Sequence, residues 1–371
     1  AVVENIDFLN YETPTLTVIK KVVNDHGGSA TVDDFEIKIG NDLITFEEGE
    51  VNGSTTTYTS TPSVIANVSY LLTEKNDVTG YTAGSWNCVD NDTGNTVSNP
   101  VVLVAGQNVT CTIINDDKAG SIKIIKDVNP DNSSKWNFTV TTPIPGVTYE
   151  ISDIGDNEYH TLLNLVSGSY TITETSDSNY VTSISCNDGT IANGTSINVD
   201  LSLGEELVCT FTNTQKGSIS GYKLNDLDND YETTEDRFGV AGWTIELLKD
   251  EEVIVSKVTD SSGYFSFSNL EPATYQLREA IVSGWIKLYP TGDFLTVNLQ
   301  PGQDSINNNF INVKYASITV LKDVDTNGDK VVDEYDSRDW KWKLDDSDEM
   351  TTGTTVSNLL PGTYTISEIV Q

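Results

Sequence analysis

The sequence has two histidines in 371 residues, one methionine, four cysteines, and 21 lysines and arginines against 56 aspartates and glutamates. Each scarcity excludes something. His26 and His160 stand alone, there is no Gly-rich phosphate loop, and no nucleophile is placed beside a base, so the chain is read as a non-enzyme. The shortage of basic residues leaves a net charge of -35, a field that repels nucleic acid and anionic lipid and suits calcium, cationic surfaces and a salty exterior. No apolar run is long enough to insert in a membrane, and no long stretch has a period near 3.6, so no helical domain is expected. No signal peptide, wall-sorting signal or lipid-anchor signal is visible either, which makes Ala1 a candidate first residue after signal cleavage.

What is present is strand and turn chemistry. Val, Ile, Thr and Tyr are abundant, and Asn, Asp, Gly and Ser punctuate the chain at short intervals, the form of many short strands. A hydrophobic share of 37% suffices for several thin sandwich cores and argues against disorder. Three positions recur in order. A Lys stands near each module's start: Lys20 in "LTVIKKVV", Lys126 in "SIKIIKDV", Lys223 in "SISGYKLND" and Lys322 in "SITVLKDV". A Tyr-x-x-x-Glu strand follows: Tyr70–Glu74, Tyr170–Glu174, Tyr275–Glu279 and Tyr364–Glu368. A closing strand then carries Asn115, Asn213 or Asn312.

These repeats predict tandem β-sandwiches over residues 14–117, 118–215, 216–314 and 315–371, the last incomplete. The very short linkers predict a stiff, rod-like array. Residues 1–13, "AVVENIDFLNYET", have the form of a closing strand with no module before them, while the fourth module stops at "YTISEIVQ" without one.

Cys88, Cys111, Cys186 and Cys209 form two pairs of equal spacing at equivalent places in the first two modules. That pattern predicts the disulfides Cys88–Cys111 and Cys186–Cys209 and an oxidising, extracellular or cell-surface setting. Sequons at Asn52, Asn67, Asn91, Asn108, Asn132, Asn137 and Asn193 fit a secreted glycoprotein.

The pattern "I-x-x-x-K … Y-x-I-x-E … F-x-N" resembles the collagen-adhesin B-type domains of bacterial surface proteins and pilins. The third module, "GSISGYKLNDLDNDYETTEDRFGVAGWTIELL … DSSGYFSFSNLEPATYQLREAIVSGW", resembles the B-type repeat of serine–aspartate-repeat adhesins. The first two modules are similar to prealbumin-like repeats. The resemblance implies an all-β array of Ig-like sandwiches. It also implies autocatalytic isopeptide bonds, in which a buried Glu relays the proton as a first-strand Lys attacks a last-strand Asn. By position the candidates are Lys20-Glu74-Asn115, Lys126-Glu174-Asn213 and Lys223-Glu279-Asn312, with Lys322-Glu368-Asn10 joining two subunits. The competing reading makes these ordinary strand-edge and turn residues.

Two loops carry calcium-type spacing. In "DTNGDKVVDEYD", Asp325, Asn327, Asp329, Asp333 and Asp336 take positions 1, 3, 5, 9 and 12 of a calcium loop, with the Val331 carbonyl at 7. Lys330 stands where such loops usually have Gly. In "DLDNDYETTEDR", Asp226, Asp228, Asp230, Glu232 through its carbonyl, and Asp236 make a second set, and the repeats it resembles bind calcium there. Structural Ca2+ is therefore the expected cofactor. Trp86, Trp136, Trp243, Trp340 and Trp342 are read as sandwich core.

Together these features predict a structural subunit of an extracellular, pilus-like filament, a head-to-tail homopolymer. Its N-terminal strand, with Ile6, Phe8, Asn10 and Tyr11 as pocket residues, completes the C-terminal module of the next copy by donor-strand complementation. The alternative is a stalk segment of a longer cell-surface adhesin, in which neighbouring parts of one polypeptide supply the missing strands. The third module favours that alternative, because it runs through "SGWIKLYP" and "DFLTVNLQPGQ" before its last strand and the fourth has no equivalent.

Overall fold

The computed structural model describes residues 12–369 apart from 76, 231, 323–327, 329 and 331–339. Strands dominate, and the only helical turn among the described residues is the 3-10 segment Val32–Phe35. Backbone contacts divide the chain into two compact units, residues 1–178 with 182–213, and residues 179–181 with 214–371.

In the first module the strand Thr15–Val23 lies between Thr55–Ser60, antiparallel, and Asn108–Asp116, parallel. Its alternation drives this placement: Leu16, Val18, Lys20 and Val22 point inward and are buried, while Thr17, Ile19 and Lys21 between them are partly exposed. Cys88 and Cys111 face each other across the next antiparallel pair and are joined. The second module repeats the plan, with Gly120–Asn129 between Tyr159–Leu165 and Glu206–Gln215 and the Cys186–Cys209 bond beside it. A second sheet, Thr148–Gly155, Lys135–Thr141, Gly168–Glu174 and Ser196–Leu201, covers the other side.

The third module, in the second unit, pairs Gly217–Asp226 in parallel with Phe310–Lys314. Its opposing sheet runs Glu252–Val258, Thr244–Lys249, Ala273–Glu279, Leu295–Leu299. Between them lies one apolar core that includes Ile219, Trp243, Phe265, Phe267, Tyr275 and Phe310. Gly221 has a steric reason: a Cβ there would lie 2.1 Å from the Asn308 carbonyl oxygen, where the closing segment approaches the opening strand. The recurring tyrosines brace the turns before their strands. Tyr170, Tyr275 and Tyr364 each donate a hydroxyl proton to the carbonyl four residues upstream, at 2.7, 2.9 and 2.6 Å. This is the geometry of a tyrosine corner.

The fourth module has two small sheets, Ala316–Thr319 with Thr355–Leu359, and Met350–Thr351, Lys341–Leu344, Ile366–Ile369. Among the described residues nothing pairs with the second edge of Ala316–Thr319, the edge that a parallel closing strand covers in the first and third modules.

Candidate functional site

The opening strands of the first three modules carry their Lys at a core position of the same alternation that buries their apolar residues, so the amine is forced inside. Lys20, Lys126 and Lys223 are all fully buried. A buried ammonium without partners is untenable, and each module supplies a carboxylate from the facing sheet. Lys20 donates to Glu74 Oε1 and to Asn115 Oδ1. The Asn115 amide in turn donates to Glu74 Oε2 at 3.1 Å and to the Thr82 carbonyl at 3.0 Å. Lys126 Nζ lies 3.1 Å from Glu174 Oε1, and Lys223 Nζ lies 3.5 Å from Glu279 Oε2. Asn213 and Asn312 hydrogen-bond those carboxylates, each with its own Oδ1 buried and lacking a hydrogen-bond partner. The three predicted Lys–Glu–Asn sets are thus each brought together, across residues far apart in sequence.

Two further contacts recur. An aromatic ring lies over each amine, Phe35 at 3.6 Å, Trp136 at 4.7 Å and Trp243 at 4.6 Å, a cation–π arrangement that orients the Lys end group. The amines of Lys126 and Lys223 also donate to the backbone carbonyls of Phe211 (2.9 Å) and Phe310 (3.4 Å), two residues before the closing-strand Asn. Sequence reasoning assigned Trp136 and Trp243 to the core and missed this second role; their place at the start of Lys135–Thr141 and just before Thr244–Lys249, the strands of the facing sheet, was the available signal.

Burial lowers the pKa of Lys20, Lys126 and Lys223, with the neighbouring carboxylate opposing it; for Lys223 the value falls to about 8. Burial likewise raises Glu174 and Glu279 against the pull of their lysines. A desolvated amine, a carboxyl of raised pKa and a primary amide in contact are the three groups that amide exchange requires: nucleophile, proton relay and acyl donor.

Among the described residues, the fourth module brings together the first two members of the same set. Lys322 Nζ lies 3.1 Å from Glu368 Oε1 and 5.0 Å from the Trp340 ring centre. Here the Lys and Glu side chains are 40% and 48% exposed, against 0% and 6% for Lys223 and Glu279. They border an open pocket of about 210 Å³ lined also by Val320, Leu321, Trp342 and Ile366. The predicted partner residues Ile6, Phe8, Asn10 and Tyr11 lie outside the described residues.

Of the predicted metal ligands, Asp226, Asp228 and Asp236 converge, with carboxylate oxygens within 4.8 Å of one another. Asp230 and Glu232 are not in that group. Asp236 Oδ2 accepts from the backbone of Leu227 and Asp228 at 3.0 and 2.9 Å, which fixes the loop. The other oxygens, Asp226 Oδ1 and Asp236 Oδ1, are buried without a hydrogen-bond partner, so the donor set fits a hard cation. Arg237 Nε, 3.1 Å from Asp226 Oδ2, supplies positive charge to the same carboxylate and competes for it. In the fourth-module loop, Asp325, Asn327, Asp329, Val331, Asp333 and Asp336 lie outside the described residues. Lys330 is described and has φ of 69°, the left-handed conformation that Gly adopts without strain.

Of the sequons, Asn52, Asn67, Asn91, Asn137 and Asn193 are exposed, while Asn108 and Asn132 are half-buried. Asn91 donates to Asn108 Oδ1 and Thr110 Oγ1 at 3.1 and 3.0 Å, so one sequon's amide is tied to the other's acceptor and hydroxyl. A group not foreseen from sequence gathers Asp25, His26, Asp116 and Asp117. Asp117 accepts from the backbone of Asp25 (3.0 Å), His26 (3.0 Å) and Gly28 (2.6 Å), so it serves as the anchor of that loop. "NDH" after the opening strand and "NDD" at the closing strand were its only trace.

Two prealbumin-like fold domain families match the chain, one over residues 12–113 and the other over residues 122–215. The chain is similar to serine-aspartate repeat-containing protein D of Staphylococcus aureus strain Newman, at 25% identity over 158 residues, 38% of this chain and 12% of that protein. The matched stretch is thus a small part of that relative's length. Among solved structures, the Bacillus anthracis TIE protein is similar at 17% identity and a TM-score of 0.29, covering 91% of this chain and 63% of that one. The major pilin from Streptococcus pyogenes is similar at 18% identity and a TM-score of 0.28, covering 55% and 99%.

Proposed function

We propose, from a chain whose first two modules belong to the prealbumin-like fold domains, that it is a non-enzymatic structural subunit of an extracellular surface filament, built head to tail by strand donation. The observation that carries this reading is the contrast between the Lys–Glu pairs. The pair is buried under a closing strand in the first three modules and lies open beside an apolar pocket in the fourth. An unpaired strand edge next to exposed apolar surface favours a further strand. Residues 1–13 carry the sequence of such a strand, and a contact that links one copy's start to the next copy's last module propagates without closing.

Within each complete module the Lys–Glu–Asn set favours an intramolecular amide. Lys Nζ bonds to Asn Cγ, the Asn C–N bond breaks, and ammonia leaves with a proton relayed by Glu. The same exchange at Lys322, Glu368 and Asn10 would join neighbouring subunits. Ca2+ held by Asp226, Asp228 and Asp236 would brace the third module, and the fourth-module loop would hold a second ion. The two disulfides and the surface sequons fit an extracellular setting.

A stalk segment of a longer adhesin is the second reading, and one observation favours it. The third module inserts Trp285–Tyr289 and Leu295–Leu299 between its Glu strand and its closing strand, one into each sheet, and a single donated strand replaces only part of that. The test is deletion of residues 1–12 followed by electron microscopy. Loss of fibres is expected. Undiminished polymerisation would sink strand donation and leave the groove to another segment of a longer polypeptide.

A further inference from the structure

Resting on that strand-donation reading, we infer that the fourth-module groove selects its incoming strand by register: an apolar residue opposite Lys322 and an Asn two positions later. The occupant is residues 2–10 of a second copy, running parallel to Ala316–Thr319, with residues 2–5 opposite that strand and "DFLN" following so that Phe8 lies beside Lys322.

The register comes from the complete modules. In the first, Lys20 is paired with Ile113, and Asn115 lies two residues further on. In the third, Lys223 is paired with Phe310, and Asn312 again follows by two. In the second, Lys126 donates to the Phe211 carbonyl, with Asn213 two residues on. Ile113, Phe211 and Phe310 are at most 1% exposed and the three asparagines at most 3%, so both positions of the pattern point into the core. The Lys amine is the reader. Under its aromatic ring it meets the carboxylate on one side and, in the second and third modules, the carbonyl of the apolar residue on the other.

The fourth module keeps every fixed part of this reader. Lys322, Glu368 and Trp340 are in contact distance, and Trp342 and Ile366 line the pocket beside them. Its volume of about 210 Å³ exceeds the roughly 150 Å³ of an apolar cavity that accepts benzene, so a phenyl ring fits. Residues 1–11, outside the described region, contain two apolar-x-Asn stretches, Val3-Glu4-Asn5 and Phe8-Leu9-Asn10, and the second has the phenyl ring that Phe211 and Phe310 carry at this position in the second and third modules. Strand periodicity makes the choice sharp. Sliding by one residue would turn Asp7 and Leu9 inward and expel both Phe8 and Asn10. Sliding by two would put Asn10 opposite Lys322 and leave the Asn position to Glu12.

The full-length chain tests this through cysteine pairs on the outward face, where Asp7 would lie opposite Leu321 as Thr112 lies opposite Ile19. A chain carrying Asp7→Cys is mixed with one carrying Leu321→Cys, oxidised, and run on reducing and non-reducing gels. A reducible dimer is expected with Leu321→Cys and not with Thr319→Cys, the position for a two-residue slip. Phe8→Ala should raise the concentration needed for assembly on the order of thirtyfold, the scale for truncating a buried aromatic anchor, and Leu9→Ala by no more than about twofold. Cross-linking through Thr319→Cys instead, cross-linking through neither site, or equal effects of the two alanines would each overturn the register. Strand donation itself would still stand if deletion of residues 1–12 abolishes fibres, so the two failures are distinct.

Discussion

Replacing Glu279 by Gln isolates the cost of the buried amine. Lys223 is held at a pKa of about 8 by burial, with the Glu279 carboxylate opposing that shift. The drop from the ordinary 10.5 corresponds to about 3 kcal/mol spent on keeping the amine charged inside, and removing one partner of a buried pair costs roughly 3–5 kcal/mol. The variant is therefore expected to lose about that much at pH 7, with the loss confined to the third module. Hydrogen exchange read by mass spectrometry on peptides from residues 217–314 would localise it. The pH dependence has a definite sign. Between the folded value and 10.5 the unfolded chain binds the proton that the native amine has released, so stability rises with pH across that window. Below the folded value both states are protonated and the full penalty remains. A variant as stable as the parent at pH 7, or one that weakens between pH 8 and 10, would refute this account. The parent chain provides a second readout. If Lys223 and Asn312 have exchanged their amide, the intact mass is lower by one ammonia and the parent shows no such rise, because its amine no longer titrates. The corresponding change at the exposed pair, Glu368→Gln, should cost the unassembled chain no more than about 1 kcal/mol.

Two other outcomes follow from the same geometry. Reducing both disulfides, each closing a sequence separation of 23 residues, should cost roughly 3 kcal/mol per bond in the first two modules and leave the third unchanged, as chemical denaturation with and without reductant would show. Calcium should raise the melting temperature through Asp226, Asp228 and Asp236, and Arg237→Ala should strengthen that response by freeing Asp226 Oδ2; a melt indifferent to chelator would count against the site.

The sequence alone was enough for the class of fold. Strand alternation, turn residues, a Lys and a Tyr-x-x-x-Glu that each occur four times, and an Asn that occurs three times are local features, legible along the chain without any tertiary contact. The cysteine pairs were legible for the same reason: equal spacing at equivalent places marked Cys88 with Cys111 and Cys186 with Cys209, and each pair proved to be bonded. What tertiary structure decided was environment. Nothing in "KKVV" says that Lys20 is fully buried and Lys21 is not; period-2 alternation against a second sheet puts one amine beside Glu74 and turns the other outward. Likewise the loop spacing named five acidic positions in the third module, but only the fold showed that Asp226, Asp228 and Asp236 converge and that Arg237 shares their charge. The fourth module makes the same point most plainly. Its Lys and Glu recur at the same places in the sequence as the others, yet their exposure depends on a neighbouring strand, and burial is a property of what packs on a residue, which no single segment carries.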